Sequence, residues 1–421
     1  MEALARREFS LPQEVVEQVE AIIREVRREG DLALCRYTSR FDAPGFEPRD
    51  LVVTETEVEA AYSQVEPEFL EALRAAKENI EGFHRRQVPD SWFLTHESGM
   101  ITGQMVRPVD SAGLYVPGGK GGETPLVSSV LMNGIPAVMA GVGRVVMATP
   151  PSRDKGVTPY LLVAAREVGI QRIYKMGSAW AIAALAYSTE TVEAVDCIVG
   201  PGNIFVTAAK KLVAGTVGID MVAGPSEVLV LADDTAPAAY VAADLLSQAE
   251  HDPMATAVLI TTSQELAQAV GRELEGQLAR LDRREIARRS LEERGALVVV
   301  DSLDEAVELA NDIGPEHLEL MVADPWALLP AIRHAGAIFL GPYSPEPMGD
   351  YMAGPNHVLP TMGTARFSSA LGVETFLKRS SIIACTPQAL QRYGGQVVLM
   401  AEREGLTAHA NSVRIRLEEL K

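Results

Sequence analysis

Cysteine is scarce: three residues, Cys35, Cys197 and Cys385, are spread over a chain of 421. With no CxxC spacing and one thiol left over from any pairing, a disulfide framework is excluded and a reducing compartment fits. Basic residues are in deficit as well, 38 Lys and Arg against 57 Asp and Glu, for a net charge of −19. A face built for nucleic acid or for an anionic membrane needs the opposite balance, so neither partner is expected. No segment reaches the roughly 18 uncharged apolar residues of a membrane span. The opening MEALARREFSLPQEVVEQV has no apolar run of signal length, so a cytoplasmic protein is expected. Three catalytic or cofactor signatures are missing too: GxGxxG, HExxH and GxSxG.

What is present begins with apolar content. At 47% hydrophobic over 421 residues, the chain exceeds what one core usually holds, and two domains or more are expected. Apolar residues recur at helical spacing over 12–29, with Gly30 as stop, and again over about 66–86. Short apolar runs bounded by glycine and proline follow at 113–116, 144–148, 172–176, 197–199 and 227–232, alternating with helical patterns. The rhythm restarts after Asp233 with runs at 255–262, 296–300, 317–322 and 336–340. Strand, helix, strand in this order predicts βαβ units and two mostly parallel sheets, joined near Pro225. The clearest helix between them starts at Ser302, with Glu305 three residues on as a capping box. The last fifty residues read as helical and carry polar residues too specific for a solvated tail.

The motifs centre on DLLSQAEHDP, 244–253, which sets Gln248 and His251 three apart at a helix end. Residues at i and i+3 share one face, so an amide oxygen and an imidazole nitrogen there suit either one metal or a plain polar helix end. Three of the other six histidines fall in polar clusters: His317 in GPEHLEL, His357 in GDYMAGPNHVLPT and His409 in EGLTAHANS. In the first, Glu316 and His317 are adjacent. On a strand they point to opposite faces, so both serve one site only where the turn at Gly314 and Pro315 bends the backbone. Asp350 stands on a glycine-flanked loop as ligand or helix cap. The glycine stretch LYVPGGKGGETPLVSSV and the turn VGPGNIFV suit either a phosphate cradle or tight turns, and AGPSEV with Ser226 reads as a further turn.

Six separated segments, GPGNIFVTAAKKLVAG, IDMVAGPSEVLVLAD, DLLSQAEHDP, GPEHL, GDYMAGPNHVLPTMGTARFSS and EGLTAHANSV, closely resemble histidinol dehydrogenases. The resemblance runs from about residue 26 to the tail. It implies an α/β fold of two Rossmann-like domains without GxGxxG, a helical N-terminal segment and a small C-terminal helical tail. The division it suggests is 1–114 with 228–368, 115–227, and 369–421 reaching a partner subunit. The implied activity is oxidation of L-histidinol to L-histidine through the aldehyde, with two NAD and one Zn2+ per subunit, by a homodimer with shared sites. By the same resemblance, Gln248, His251, Asp350 and His409 are the metal ligands, His317 is the base for the alcohol proton and Glu316 activates water. Ser128, Ser226, His357 and Glu404 join them around the substrate, and Tyr115 and Asn203 touch NAD. Where the family carries a glutamine in GGAQA, this chain reads GSAWA, placing Trp180 at a dinucleotide contact. A related dehydrogenase of another small polar alcohol and a zinc hydrolase are the rival readings.

Overall fold

The computed structural model describes residues 11–118 and 125–420. It divides into two compact units, Met1–Gln87 with Val109–Phe376, and Val88–Pro108 with Leu377–Lys421. The smaller unit is an antiparallel sheet of β1 (Trp92–Thr95), β2 (Met100–Pro108) and β13 (Leu377–Cys385) in the order β1-β2-β13. Helices Pro387–Arg403 and Thr407–Glu419 follow β13 and pack on each other. The tail expected to be helical from 369 thus enters through a strand.

The larger unit carries two five-stranded parallel sheets. The first comprises β3 (Ser111–Tyr115), β4 (Arg144–Thr149), β5 (Arg172–Lys175), β6 (Cys197–Val199) and β7 (Gly218–Ile219), ordered β5-β4-β3-β6-β7. The second comprises β8 (Glu227–Ala232), β9 (Thr256–Thr261), β10 (Ala296–Val299), β11 (His317–Met321) and β12 (Ala337–Leu340), ordered β10-β9-β8-β11-β12. Counted within each sheet the order is the same, 3-2-1-4-5, that of a doubly wound half. The architecture is therefore two Rossmann-like α/β sheets with helical ends, as expected. Run 227–232, grouped with the first rhythm in the sequence, is the central strand of the second sheet.

Strands buried on both faces need near-continuous apolar runs, and TAVLIT in β9 and the VLVLA of β8 supply them. Helix Ser178–Tyr187, SAWAIAALAY, is apolar on every side and must be covered all round. Helix Gln13–Glu29 covers it, turning Val19, Ile23 and Val26 inward. The N-terminal helices, expected to group with 228–368, pack instead on the helices that flank the first sheet. Ser302 caps helix Leu303–Ile313 by accepting from the Glu305 N–H. Among the described residues, no helix is long and apolar enough to cross a membrane.

Candidate active site

The site forms at the amino edge of the second sheet. Helix Leu303–Ile313 ends at Gly314 in the left-handed region, φ 57°, a conformation that costs glycine little. The chain then turns through Pro315 into β11, and Glu316 and His317 arrive beside the start of β8. The backbone N–H and C=O of that neighbour's first residue hold one each. The Glu227 N–H donates to Glu316 Oε2 at 2.8 Å, and the Glu227 carbonyl oxygen lies 2.9 Å from His317 Nδ1. The two side chains do converge, Nδ1 standing 3.8 Å from Glu316 Oε2.

The other imidazole nitrogen of His317, Nε2, faces Glu346 Oε1 at 3.9 Å. Glu346 opens the short helix Glu346–Tyr351, which carries Asp350 one turn later. Donor atoms of His317, Glu346 and Asp350 lie within 4.8 Å of one another. Glu346 escaped the sequence reading, although its i,i+4 spacing to Asp350 was a usable signal. Helix Ala238–Ala249 runs back from β8 to the same edge and ends with Gln248, fully buried. Its Nε2 is 3.0 Å from His251 Nδ1, and its Oε1 is buried without a hydrogen-bond partner. Amide oxygen, imidazole and carboxylate are donors that a zinc ion accepts, and an orphaned amide oxygen is what a missing cation would leave.

Burial dominates the electrostatics. It pushes His317 down to about 4, against the hydrogen bond to the Glu227 backbone and the nearby charge of Asp350, both of which favour the protonated ring. It pushes Glu316 and Glu346 well above the usual carboxylate range, and Asp350 upward as well. At neutral pH the imidazole is held free of its second proton. A cleft of about 480 Å³ opens over these groups, lined by His317, Asp350, His357, Asn356, Phe339 and Tyr343 among others. His357 Nε2 is buried there without a partner, and burial pushes this imidazole also down to about 4.

The remaining expected residues are placed as follows. Ser226 immediately precedes β8, its carbonyl accepting from the Thr256 N–H. Ser128, in the first turn of helix Val127–Met139, lines a separate cleft of about 420 Å³ with Tyr351 and Met352. Glu404 and His409 belong to the smaller unit and are exposed, at the end of one tail helix and in the next. Of the glycine stretch, Gly119, Gly121 and Gly122 lie outside the described residues.

At the carboxyl edge of the first sheet, Tyr115 ends β3 and accepts from the Ser178 N–H at 3.0 Å; burial pushes its hydroxyl up to about 12. Gly200, φ 118°, follows β6 where an added Cβ would stand 2.1 Å from the Tyr115 carbonyl oxygen. The turn brings Asn203 to cap helix Ile204–Val213, its Oδ1 accepting from Phe205 and Val206, which leaves the amide NH2 for another partner. Trp180 is buried, stacked at 5.5 Å on Tyr37 and 5.7 Å on Phe41, with its indole N–H donating to Thr38. A cleft of about 760 Å³ is lined by Asn203, Ser178, Trp180, Phe41 and Asp42 among others. Tyr37, Phe41 and Asp42 were not singled out in the sequence, where nothing marks TSRFD as more than a helix end.

Comparison with known proteins shows the family to which the chain belongs. The family model described as histidinol dehydrogenase matches residues 5–417. The chain is 61% identical over 400 residues to the histidinol dehydrogenase of Desulfotalea psychrophila, covering 95% of this chain and 92% of that one. Against that of Nitratidesulfovibrio vulgaris the figures are 57% over 406 residues, 96% and 93%. The crystal structure of histidinol dehydrogenase from Elizabethkingia anophelis superposes with a TM-score of 0.94 at 38% identity, over 100% of this chain and 96% of that one.

Proposed function

We propose, on the premise that the chain belongs to the histidinol dehydrogenase family and catalyses the oxidation of histidinol in histidine biosynthesis, that the cleft at the amino edge of the second sheet is its catalytic centre. The observation that carries the assignment is the tether of Glu316 on the N–H and of His317 on the C=O of one residue, Glu227, with Gln248 and His251 paired at the end of the next helix. Because a carbonyl can only accept, Nδ1 of His317 is the protonated nitrogen and Nε2 is the base. It takes the proton of the substrate's hydroxyl oxygen while hydride leaves the carbon that bears it. Glu316, pushed up by burial, is a strong base once ionised and draws a proton from water adding to the aldehyde. His357, with Nε2 free in the cleft, suits one end of the substrate, and Ser226 and Ser128 suit its flanks.

Gln248, His251 and Asp350 of one chain, with His409 of a second copy, would hold a zinc ion, which anchors amine and imidazole by Lewis acidity and carries no electrons. NAD, as hydride acceptor for each of two steps, would lie in the cleft of Tyr115, Trp180 and Asn203. The chain acts as a cytoplasmic homodimer in which Glu404 and His409 of each copy complete the other's site. Exposed Tyr343 and Met348 at the cleft suit cover by a partner. Absorbance of reduced nicotinamide tests the reading: two NADH per L-histidinol are expected, and activity confined to a different alcohol would overturn it.

A further inference from the structure

In a doubly wound domain the dinucleotide crosses the carboxyl edge at the switch point, and an acid after the second strand reads the adenosine ribose. The first sheet has its switch point between β3 and β6, at Tyr115 and the Gly200 turn. Its second strand, β4, runs out into Thr149, Pro150 and Pro151 without a carboxylate. The next acid, Asp154, is turned onto its own loop, Oδ1 accepting from Ser152 and from the Gly156 N–H. A carboxylate nevertheless reaches this edge from another part of the chain. Asp42 follows helix Asp31–Phe41. A Cβ built on Gly177, just past β5, would stand 2.9 Å from Pro150 and 3.6 Å from Asp42 Oδ2.

Asp42 lines the 760 Å³ cleft together with Ser178 and Asn203. Its Oδ2 is buried and accepts no hydrogen bond, neither from a cation nor from the first turn of helix Ser178–Tyr187. The rings of Tyr37, Phe41 and Trp180, nearly parallel, wall the same cleft, and Phe41 keeps 58% of its surface exposed. Arg40 lies over the Phe41 ring at 5.0 Å, a cation beside the cleft that is not spent on Asp42.

We propose that Asp42 is the residue that reads the adenosine ribose, accepting a hydrogen bond from its 2′-hydroxyl and repelling a 2′-phosphate, so that it sets the choice of NAD over NADP. The proposal rests on the reading of this cleft as the dinucleotide site. Burial pushes Asp42 up to about 6, as expected of a carboxylate short of donors, and a ribose hydroxyl supplies one.

The test compares NAD, NADP and an NAD analogue lacking the adenosine 2′-hydroxyl on the zinc-loaded wild type, Asp42→Asn and Asp42→Ala, by kcat/KM with histidinol and by equilibrium dialysis of each dinucleotide. Loss of the 2′-hydroxyl should weaken binding to the wild type by roughly ten- to a hundredfold and to Asp42→Ala by less than about threefold, the size of one hydrogen bond to a charged group. Asp42→Asn, with the charge gone, should raise NADP use relative to NAD at least about tenfold. Equal losses in wild type and Asp42→Ala, or an unchanged NADP to NAD ratio, would overturn the assignment. A wild type indifferent to both the 2′-hydroxyl and the 2′-phosphate would overturn it even where the variants fail to fold. Absence of any dinucleotide binding would instead remove the cleft reading itself, and the proposal with it.

Discussion

His317 Nδ1 lies 2.9 Å from the carbonyl oxygen of Glu227, a residue 90 positions earlier in the chain. The contact fixes which nitrogen carries the proton, and so which nitrogen is left to act.

Replacing that imidazole by His317→Asn should lower histidinol oxidation about 10²- to 10⁴-fold, the usual worth of a general base. Zinc content by atomic absorption should stay at the wild-type level, because His317 is assigned as base and not as ligand. Metal lost together with activity would move His317 into the coordination shell.

Gln248→Ala and His251→Asn attack the metal set directly. Each should lower zinc occupancy after dialysis against a weak chelator by roughly ten- to a hundredfold in affinity.

The shared site predicts complementation. A dimer of His317→Asn and His409→Asn chains would hold one site with both lesions and one with neither, so mixing the two inactive proteins under subunit exchange should restore about one full site's activity per heterodimer, half that of a wild-type dimer. Heterodimers seen by mass but silent in the assay would place His409 in its own chain's site.

Burial of neutral His317 makes acid stability predictable in sign. Its folded value of about 4 lies below the ordinary 6.5, so the unfolded chain takes the proton first as pH falls. The stability it contributes is fully present above about pH 6.5 and is lost progressively toward about pH 4. Metal-stripped wild type should therefore lose melting temperature more steeply across that window than metal-stripped His317→Asn, and parallel curves would count against the shift.

Lys210 and Asp220 form a buried ion pair under the Gly200 turn: Lys210 Nζ donates to the Gly200 carbonyl at 2.9 Å, and Asp220 accepts from the Gly200 N–H at 2.8 Å. Lys210→Met strands the carboxylate and should destabilise the fold by about 3–5 kcal/mol. Because the same turn presents Asn203, KM for NAD should rise while zinc content does not change. A variant with wild-type KM for NAD would show the clamp to be structural alone.

Much of this was legible in the sequence where local pattern and chemistry coincide. Apolar runs bounded by glycine and proline located nine of the sheet strands, and Gln248 with His251 announced themselves by helical spacing. The strand Trp92–Thr95 gave no such signal, because all four of its residues are exposed and no inward face alternates. β7, two residues long, is too short to carry a pattern. Asp42 was invisible for another reason. Its chemistry comes from neighbours distant in sequence, and it has no motif around it, whereas Glu346 had only its i,i+4 spacing to Asp350 to mark it. Trp180, expected at a dinucleotide contact, lines the cleft and also stacks on Tyr37 and Phe41, so the indole that replaces an amide is packed against helix Asp31–Phe41.

The register that sets His317 opposite Val228 joins strands whose pairing closes a loop of nearly the whole second sheet. Such closure must be completed before any contact rewards it, so the strands β8 and β9, adjacent in sequence and in space, form their pairing sooner. The catalytic histidine is then oriented in the last stages of acquiring the fold. In refolding from denaturant, ellipticity should return ahead of activity even with zinc and NAD in excess, and the lag should lengthen when residues are inserted in the 300–302 connection, which lies between β8 and β11 in the chain and at the opposite, carboxyl edge of their sheet.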